Sequence, residues 1–330
     1  MVFMGSDAIA LPLLEFLAEE GSAWVEPAGV LTQPDRPSGR GKKLAPNAIK
    51  RWALERGWPV WQPEKPGVNE ENLFRESGVN LFLVMAYGHL LRQSLLHLPE
   101  RGTYNLHTSL LPAYRGASPI QGALAAGETV TGVTLMRMVP KMDAGPVIDR
   151  EKLAVGRTET APELEARIAG ACVPLVRRNL PNLAAGEASA REQDPALATY
   201  TRKLDKRDGA LDFTESAAVL ARRVNALQPW PGAGFPRQNA VIKARRADWA
   251  PGEPAGVPGT VLGVRDGAFC VATGEGVLRL LELQRPGGKM LPAETFSRGY
   301  PIAVGEVLES RPMPALVAEH PFPAVRRGSG

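Results

Sequence analysis

With 330 residues, 44% of them hydrophobic and 22% charged, the chain has the composition of a globular protein with room for about two domains. Two cysteines and four histidines, none at metal-ligand spacing, exclude a disulfide framework and argue against a structural zinc site. The net charge of +4 is uneven: residues 1–200 hold 21 Lys and Arg against 22 Asp and Glu, a net of −1, and residues 201–330 hold 18 against 13, a net of +5. Such an excess either steers a polyanion or keeps a small domain soluble.

Phe3-Met4-Gly5 reads as the end of a short buried strand. Residues 8–20 follow with helical periodicity, and Asp7 is placed to cap them. Ala28 to Leu31 reads as a second strand, Thr32 to Lys43 as a polar loop, Asn47 to Arg56 as a helix and Pro59 to Trp61 as a third strand. Leu81 to Met85 is a continuous apolar run, the pattern of a strand covered on both faces. Tyr104 to His107, Val130 to Met138 and Val147 to Leu153 add strands, and Pro162 to Leu183 a long helix. Cys172, in that helix, and Cys270 both lie in apolar runs and read as buried free thiols.

This alternation predicts an α/β fold with a doubly wound, mostly parallel sheet. The stretch from 184 to 208 is rich in Ala, Glu and Asp and has no long apolar run. The domains are therefore set at 1–190 and 208–330, with a linker at 191–207. After Asp208 to Glu215 come short β-type runs at Ala240–Lys243, Gly259–Leu262, Ala268–Ala272 and Val277–Leu283. Their Gly and Pro punctuation predicts a small barrel. From Arg311 the Pro- and Gly-rich tail is expected to be loose. No apolar run approaches the roughly 20 residues of a membrane span, and no secretory signal pattern opens the chain, so a cytoplasmic protein that does not contact a membrane is expected.

Ligands of a parallel sheet bind beyond the carboxyl ends of its strands. Asn105 and His107, two apart on one strand, face the same side. An amide and an imidazole there can both donate to an oxyanion, and the imidazole can move a proton. A strand histidine also fits a purely structural role. A carboxylate to orient it is offered by Asp143, within Lys141-Met142-Asp143-Ala144-Gly145, although an ordinary turn would use an Asp there as well. Met85-Ala86-Tyr87-Gly88 ends the fourth strand with small residues that let a flat ring approach the backbone, or simply mark a strand–helix junction.

In order, these segments resemble the formyltransferase family that uses 10-formyltetrahydrofolate, and the match covers nearly the whole chain. Asn105-Leu106-His107-Thr108-Ser109-Leu110-Leu111-Pro112, then Arg115-Gly116, is similar to the family's Asn-x-His-x-Ser-Leu-Leu-Pro-x-x-Arg-Gly signature. Met142-Asp143-Ala144-Gly145 is similar to its Asp-x-Gly turn. The resemblance implies a Rossmann-like domain followed by an OB-like barrel, with Asn105, His107 and Asp143 catalytic. It implies that Ser109, Leu110, Leu111, Pro112, Met85, Ala86, Tyr87 and Gly88 line a folate site. The co-substrate implied is 10-formyltetrahydrofolate, with no metal. His89 and Arg92 depart from the family, which has Gln or Leu and a Pro there.

Two further stretches bear on the acceptor. Thr32 to Leu44 is similar to the insertion loop of family members that act on tRNA. Its Arg36, Arg40, Lys42 and Lys43, set against Asp35, suit phosphates. Gln228-Pro229-Trp230-Pro231-Gly232, and Val271 to Gly276 followed by Leu283-Gln284, are similar to those members' barrel domain. The implied reaction is formyl transfer to the α-amine of initiator methionyl-tRNA, by a chain expected to act as a monomer. A formyltransferase for an amino sugar nucleotide would share the catalytic residues but have no use for the basic loop. A non-catalytic tRNA-binding protein on the same scaffold would have no reason to keep Asn105, His107 and Asp143.

Overall fold

The structure, a computed structural model, describes residues 1–38, 43–253 and 256–323. Its first stretch holds β1 (Val2–Met4), α1 (Leu11–Ala18), β2 (Gly29–Leu31), β3 (Arg36–Ser38), β4 (Lys43–Ala45), α2 (Ala48–Glu55), β5 (Val60–Trp61), α3 (Val68–Glu76) and β6 (Phe82–Val84). Then come α4 (Gln93–Leu96), β7 (Thr103–His107), β8 (Arg115–Gly116), α5 (Pro119–Ala126), β9 (Val130–Arg137), β10 (Val147–Ala154), α6 (Ala161–Ala185) and β11 (Tyr200–Thr201). The remainder holds α7 (Ala217–Ala226), β12 (Ala233–Arg237), β13 (Ala240–Ala250), β14 (Val261–Arg265), β15 (Ala268–Ala272), β16 (Val277–Gln284), β17 (Leu291–Pro292), α8 (Ala293–Gly299) and β18 (Val317–Ala318).

Packing divides the chain into two units, and both are discontinuous in sequence. The first comprises Met1–Arg115, Gly132–Leu153 and Glu165–Ala198. Its seven-stranded sheet has the order β10-β9-β7-β6-β1-β2-β5. The strands from β5 to β7 pair in parallel. β9 runs antiparallel to β7, so the sheet is mixed at this side. The chain builds outward from β1 to β2 and β5, then returns to lay β6 on the other flank of β1. That reversal opens a crevice at the carboxyl ends of β1 and β6. Val2, Met4, Phe82 and Val84 pack with Leu31 and Phe74 on one face, and the intervening Phe3, Val30 and Leu83 are buried as well, which explains the continuous apolar runs. The predicted cap Asp7 accepts from the Ile9 amide at 3.0 Å, and Asn47 caps α2 by accepting from the Lys50 amide at 3.0 Å.

Several elements differ from the sequence reading. The polar loop from Thr32 to Lys43 contains the hairpin β3–β4, with Arg36 opposite Ala45 and Pro37 opposite Leu44. α3, α4 and α5 stand where no element was expected. Residues 191–207 are no bare tether. Arg191 pairs with Val147 in both directions, N to O at 2.7 and 2.8 Å, and β11 lies within the stretch.

The second unit comprises Gly116–Thr131, Ala154–Leu164 and Thr199–Gly330. Its strands pair along the path β12-β13-β16-β15-β14, with β17 beside β16, each pair antiparallel. These pairings give the β-rich half an antiparallel sheet, in keeping with the short-strand pattern of its sequence. Leu220, Ala221 and Val224 of α7 pack with Phe213, Phe235, Ile242, Phe269, Leu278 and Leu280. β13 shifts register around Arg246. Asn225, which is buried, answers that bulge by donating to the Ala247 carbonyl and accepting from its amide, each at 2.9 Å. The tail is tied down as far as Ala318 rather than loose from Arg311. Val317 and Ala318 pair with Thr201 and Tyr200, and the Pro314 and Ala315 carbonyls accept from Arg223 and Arg202, each at 3.0 Å.

Both cysteines are buried, and burial pushes the Cys172 thiol up to about 12. Among the described residues no helix is long and apolar enough to cross a membrane, and no group of three or more His, Cys, Asp or Glu could hold a metal ion.

Candidate active site

β7 lies between β6 and β9, with Asn105 opposite Val84 on one side and Met136 on the other. The β pleat therefore turns Leu106 to one layer and Asn105 with His107 to the opposite one. His107 is 6% exposed. Its Nε2 lies 2.9 Å from the Tyr114 carbonyl, an acceptor only, so this nitrogen carries a proton. Nδ1 is thereby left as the working nitrogen, and it faces Asp143 Oδ1 at 3.7 Å. That spacing is an ion-pair distance rather than a hydrogen bond. Asn105 is partly exposed, and its carboxamide makes no hydrogen bond among the described residues. The three residues singled out from sequence thus include two that the fold brings together and one with free donors on the same strand face.

The turn after β7 is stitched internally. Ser109 Oγ donates to the Ala113 carbonyl at 2.7 Å, and Thr134 Oγ1 donates to the Ser109 carbonyl at 2.6 Å. Thr134 Oγ1 also accepts from the Leu111 amide at 3.1 Å. The Leu111 carbonyl accepts from Arg150 Nε and Nη2, at 3.1 and 2.8 Å. Ser109 and Leu111 are consequently buried, as are Met85 and Tyr87. Of the eight residues assigned to the folate site, only Ala86, Gly88, Leu110 and Pro112 present their surface.

The crevice between β1 and β6 has further structure. The Ala86 carbonyl accepts from the Ser6 amide at 3.1 Å, and the Tyr87 carbonyl from Ser6 Oγ at 3.2 Å and Gln33 Nε2 at 2.8 Å. These two carbonyls are therefore already occupied within the protein. The Tyr87 hydroxyl and His89 Nε2 are buried without a partner among the described residues. Burial raises the Tyr87 phenol above its ordinary range.

The basic hairpin is anchored at its base. Lys50 pairs with Asp35 at 2.8 Å, and Gln62 donates to Asp35 Oδ1 at 2.9 Å and to the Gln33 carbonyl at 2.8 Å. These bonds hold the Asp35 carboxyl below its ordinary range. Arg36 is paired with Glu64 at 2.8 Å in the open, an exchangeable contact. Lys43 is exposed with no ion pair among the described residues, whereas Arg40 and Lys42 lie outside them.

In the second unit, a groove of about 600 Å³ is lined by Lys206, Arg207, Lys243 and Arg311 around Trp230, which is 50% exposed. Cations around an aromatic face suit a polyanion that carries flat bases. The sequence reading located the charge surplus in this half and singled out the Trp230 segment, but not this groove. Gln193, whose carboxamide nitrogen donates to the Asp143 and Gly145 carbonyls, carries no local signal in its Ala- and Glu-rich stretch.

The profile of the formyl transferase family matches residues 1–176, and that of the formyl transferase C-terminal domain matches residues 203–301. A methionyl-tRNA formyltransferase of Burkholderia pseudomallei is 40% identical over 316 residues, covering 93% of this chain and 96% of that one. Another, of Methylococcus capsulatus, is 38% identical over 304 residues, covering 92% and 97%. Among solved structures, an N-formyltransferase from Helicobacter canadensis in complex with folinic acid and dTDP-3-aminofucose aligns with a TM-score of 0.63 at 15% identity, covering 84% of this chain and 98% of that one. HypX from Aquifex aeolicus in complex with tetrahydrofolic acid aligns at 0.53 with 20% identity, covering 79% and 48%. These structural likenesses speak to the fold.

Proposed function

The chain belongs to the formyl transferase family, and from that premise we propose that it carries the formyl group of 10-formyltetrahydrofolate to the α-amine of initiator methionyl-tRNA. The observation that carries the acceptor is the end-to-end match, at about 40% identity, to methionyl-tRNA formyltransferases. The basic hairpin after β2 and the cationic groove of the second unit support it, since an amino sugar nucleotide would use neither.

The residues act as follows. Asn105 donates its carboxamide protons to the formyl oxygen as it gains negative charge under attack by the neutral amine. His107 donates to the same oxygen through Nδ1–H, because its Nε2–H is committed to Tyr114. Asp143 faces the ring and takes the proton that the amine loses, directly or through a water; the adduct then collapses as the bond from the formyl carbon to the folate nitrogen breaks, that nitrogen taking the proton and leaving as tetrahydrofolate. Ala86, Gly88, Leu110 and Pro112 contact the folate, while Met85, Tyr87, Ser109 and Leu111 set the shape of its wall. The first unit is the catalytic one and the second the tRNA-binding one; along the chain these are residues 1–190 and 208–330 with 191–207 between, save that 116–131 and 154–164 pack with the second unit. A single chain supplies all three catalytic groups and suffices as a monomer in the cytoplasm, where both substrates are.

On this account the double variant Lys206→Ala, Lys243→Ala weakens binding to charged initiator tRNA and flattens its salt dependence. Each lost phosphate contact lowers the slope of log affinity against log salt by about 0.9. Arg40→Ala acts in the same direction. Filter binding at several salt concentrations measures it, and slopes equal to wild type would remove these cations from the tRNA interface.

A further inference from the structure

Asp143 sits in the left-handed region, with φ at +50°, a conformation uncommon for residues other than glycine though one that Asp tolerates. Side-chain hydrogen bonds to the turn help to hold it there. The carboxamide nitrogen of Gln193 donates to the Asp143 carbonyl at 2.9 Å and to the Gly145 carbonyl at 2.7 Å. One NH₂ group thus spans the turn that carries the carboxylate. Its partner oxygen, Gln193 Oε1, accepts from Arg115 Nε at 3.2 Å and from Nη2 at 2.7 Å. Arg115 is 2% exposed and Gln193 8%, so the connection runs through dry interior. Gln193 is itself placed by the pairing of Arg191 with Val147 on the edge of β10.

The other end of the connection is at the histidine. Tyr114, adjacent to Arg115, offers the carbonyl that His107 Nε2 bonds at 2.9 Å. The segment Tyr114–Arg115 therefore holds the imidazole by its own backbone and the aspartate turn through Gln193. Both members of the His107–Asp143 pair are referenced to the same two residues.

We propose that Gln193, backed by Arg115, is a positioning residue for formyl transfer, fixing the turn that presents the Asp143 carboxylate to His107. This rests on the reading of His107 and Asp143 as catalytic. Gln193 touches neither substrate. Its effect reaches the reaction only through where Asp143 sits.

The test compares Gln193→Ala and Gln193→Glu with Asp143→Asn and with the double variant Gln193→Glu, Asp143→Asn. Glutamate keeps an acceptor for Arg115 but loses both donors and sets a carboxylate against two carbonyls, so the buried arginine stays paired while the turn is released. We expect Gln193→Glu to fold, to lose about 10- to 100-fold in kcat, as for a displacement near 1 Å, and to keep both KM values within about twofold. Gln193→Ala loses kcat in the same direction. On an Asp143→Asn background the Glu substitution adds less than about twofold. If Gln193→Glu keeps near-normal kcat while Asp143→Asn is inactive, the positioning role is overturned and the catalytic reading stands. A full additive loss in the double variant also overturns it, because Gln193 would then act elsewhere. Near-normal turnover by Asp143→Asn overturns both.

Discussion

Replacing His107 with alanine is expected to lower kcat for formyl transfer by about three orders of magnitude while leaving the affinity for methionyl-tRNA within about threefold. Two losses combine in this one residue. An oxyanion donor at a preorganised site is typically worth about 10²–10³ in rate, and positioned proton transfer about 10²–10⁴. The second loss reaches His107 indirectly, because Asp143, which takes the proton, faces the Nδ1 left after Nε2 is given to Tyr114, so the two overlap. Asn105→Ala removes a donor only and falls by about 10²–10³. Asp143→Asn keeps the shape but not the charge beside His107 and loses a comparable amount. Single-turnover transfer with saturating co-substrate separates these effects from binding. A His107 variant with turnover within tenfold of wild type would show that the ring is structural.

Gly145→Ala is expected to do nearly as much damage without touching a catalytic group. A Cβ on Gly145 would lie 1.8 Å from the Arg137 carbonyl oxygen. That oxygen is backbone and has no rotamer to give. The Arg137 amide is also bonded to the Pro146 carbonyl at 2.9 Å, so the β9–β10 connection must open for the methyl to fit. Asp143 is two residues away and Gln193 bonds the Gly145 carbonyl, so the carboxylate moves with the turn. Overpacking of this kind costs about 1–3 kcal/mol of stability, and a displacement near 1 Å costs about 100-fold in rate. Thermal unfolding and kcat measure the two separately. Gly170→Ala is the control: a Cβ there meets nothing within 4 Å, and the helix interior favours alanine over glycine by up to about 1 kcal/mol. Equal behaviour of the two variants would mean that the turn yields freely.

The part of this site that could be read from sequence was the part built by local periodicity. Asn105 and His107 share a face because residues two apart on a strand must, and the buried strands β1 and β6 announce themselves as apolar runs. The rest depends on partners distant in sequence. Gln193 has meaning only once Arg191 docks on Val147 and brings it to the Asp143 turn. β13 extends to Ala250, well past Lys243, because Asn225 satisfies the bulge that breaks its alternation. α7 escaped notice because Arg222, Arg223 and Asn225 interrupt its apolar stripe, and two of these are buried by hydrogen bonds rather than by greasy contact. The segments read as a folate wall are legible on the chain as stretches, yet which of their side chains face outward is decided by Ser6, Gln33 and Thr134, each from another strand or loop.

The most direct measurement offers the enzyme labelled 10-formyltetrahydrofolate with charged initiator tRNA and an amino sugar nucleotide in parallel, each with a His107→Ala control. The account predicts label on the methionyl α-amine, none on the sugar, and loss of transfer in the variant. Label on the sugar nucleotide and none on methionyl-tRNA would contradict it.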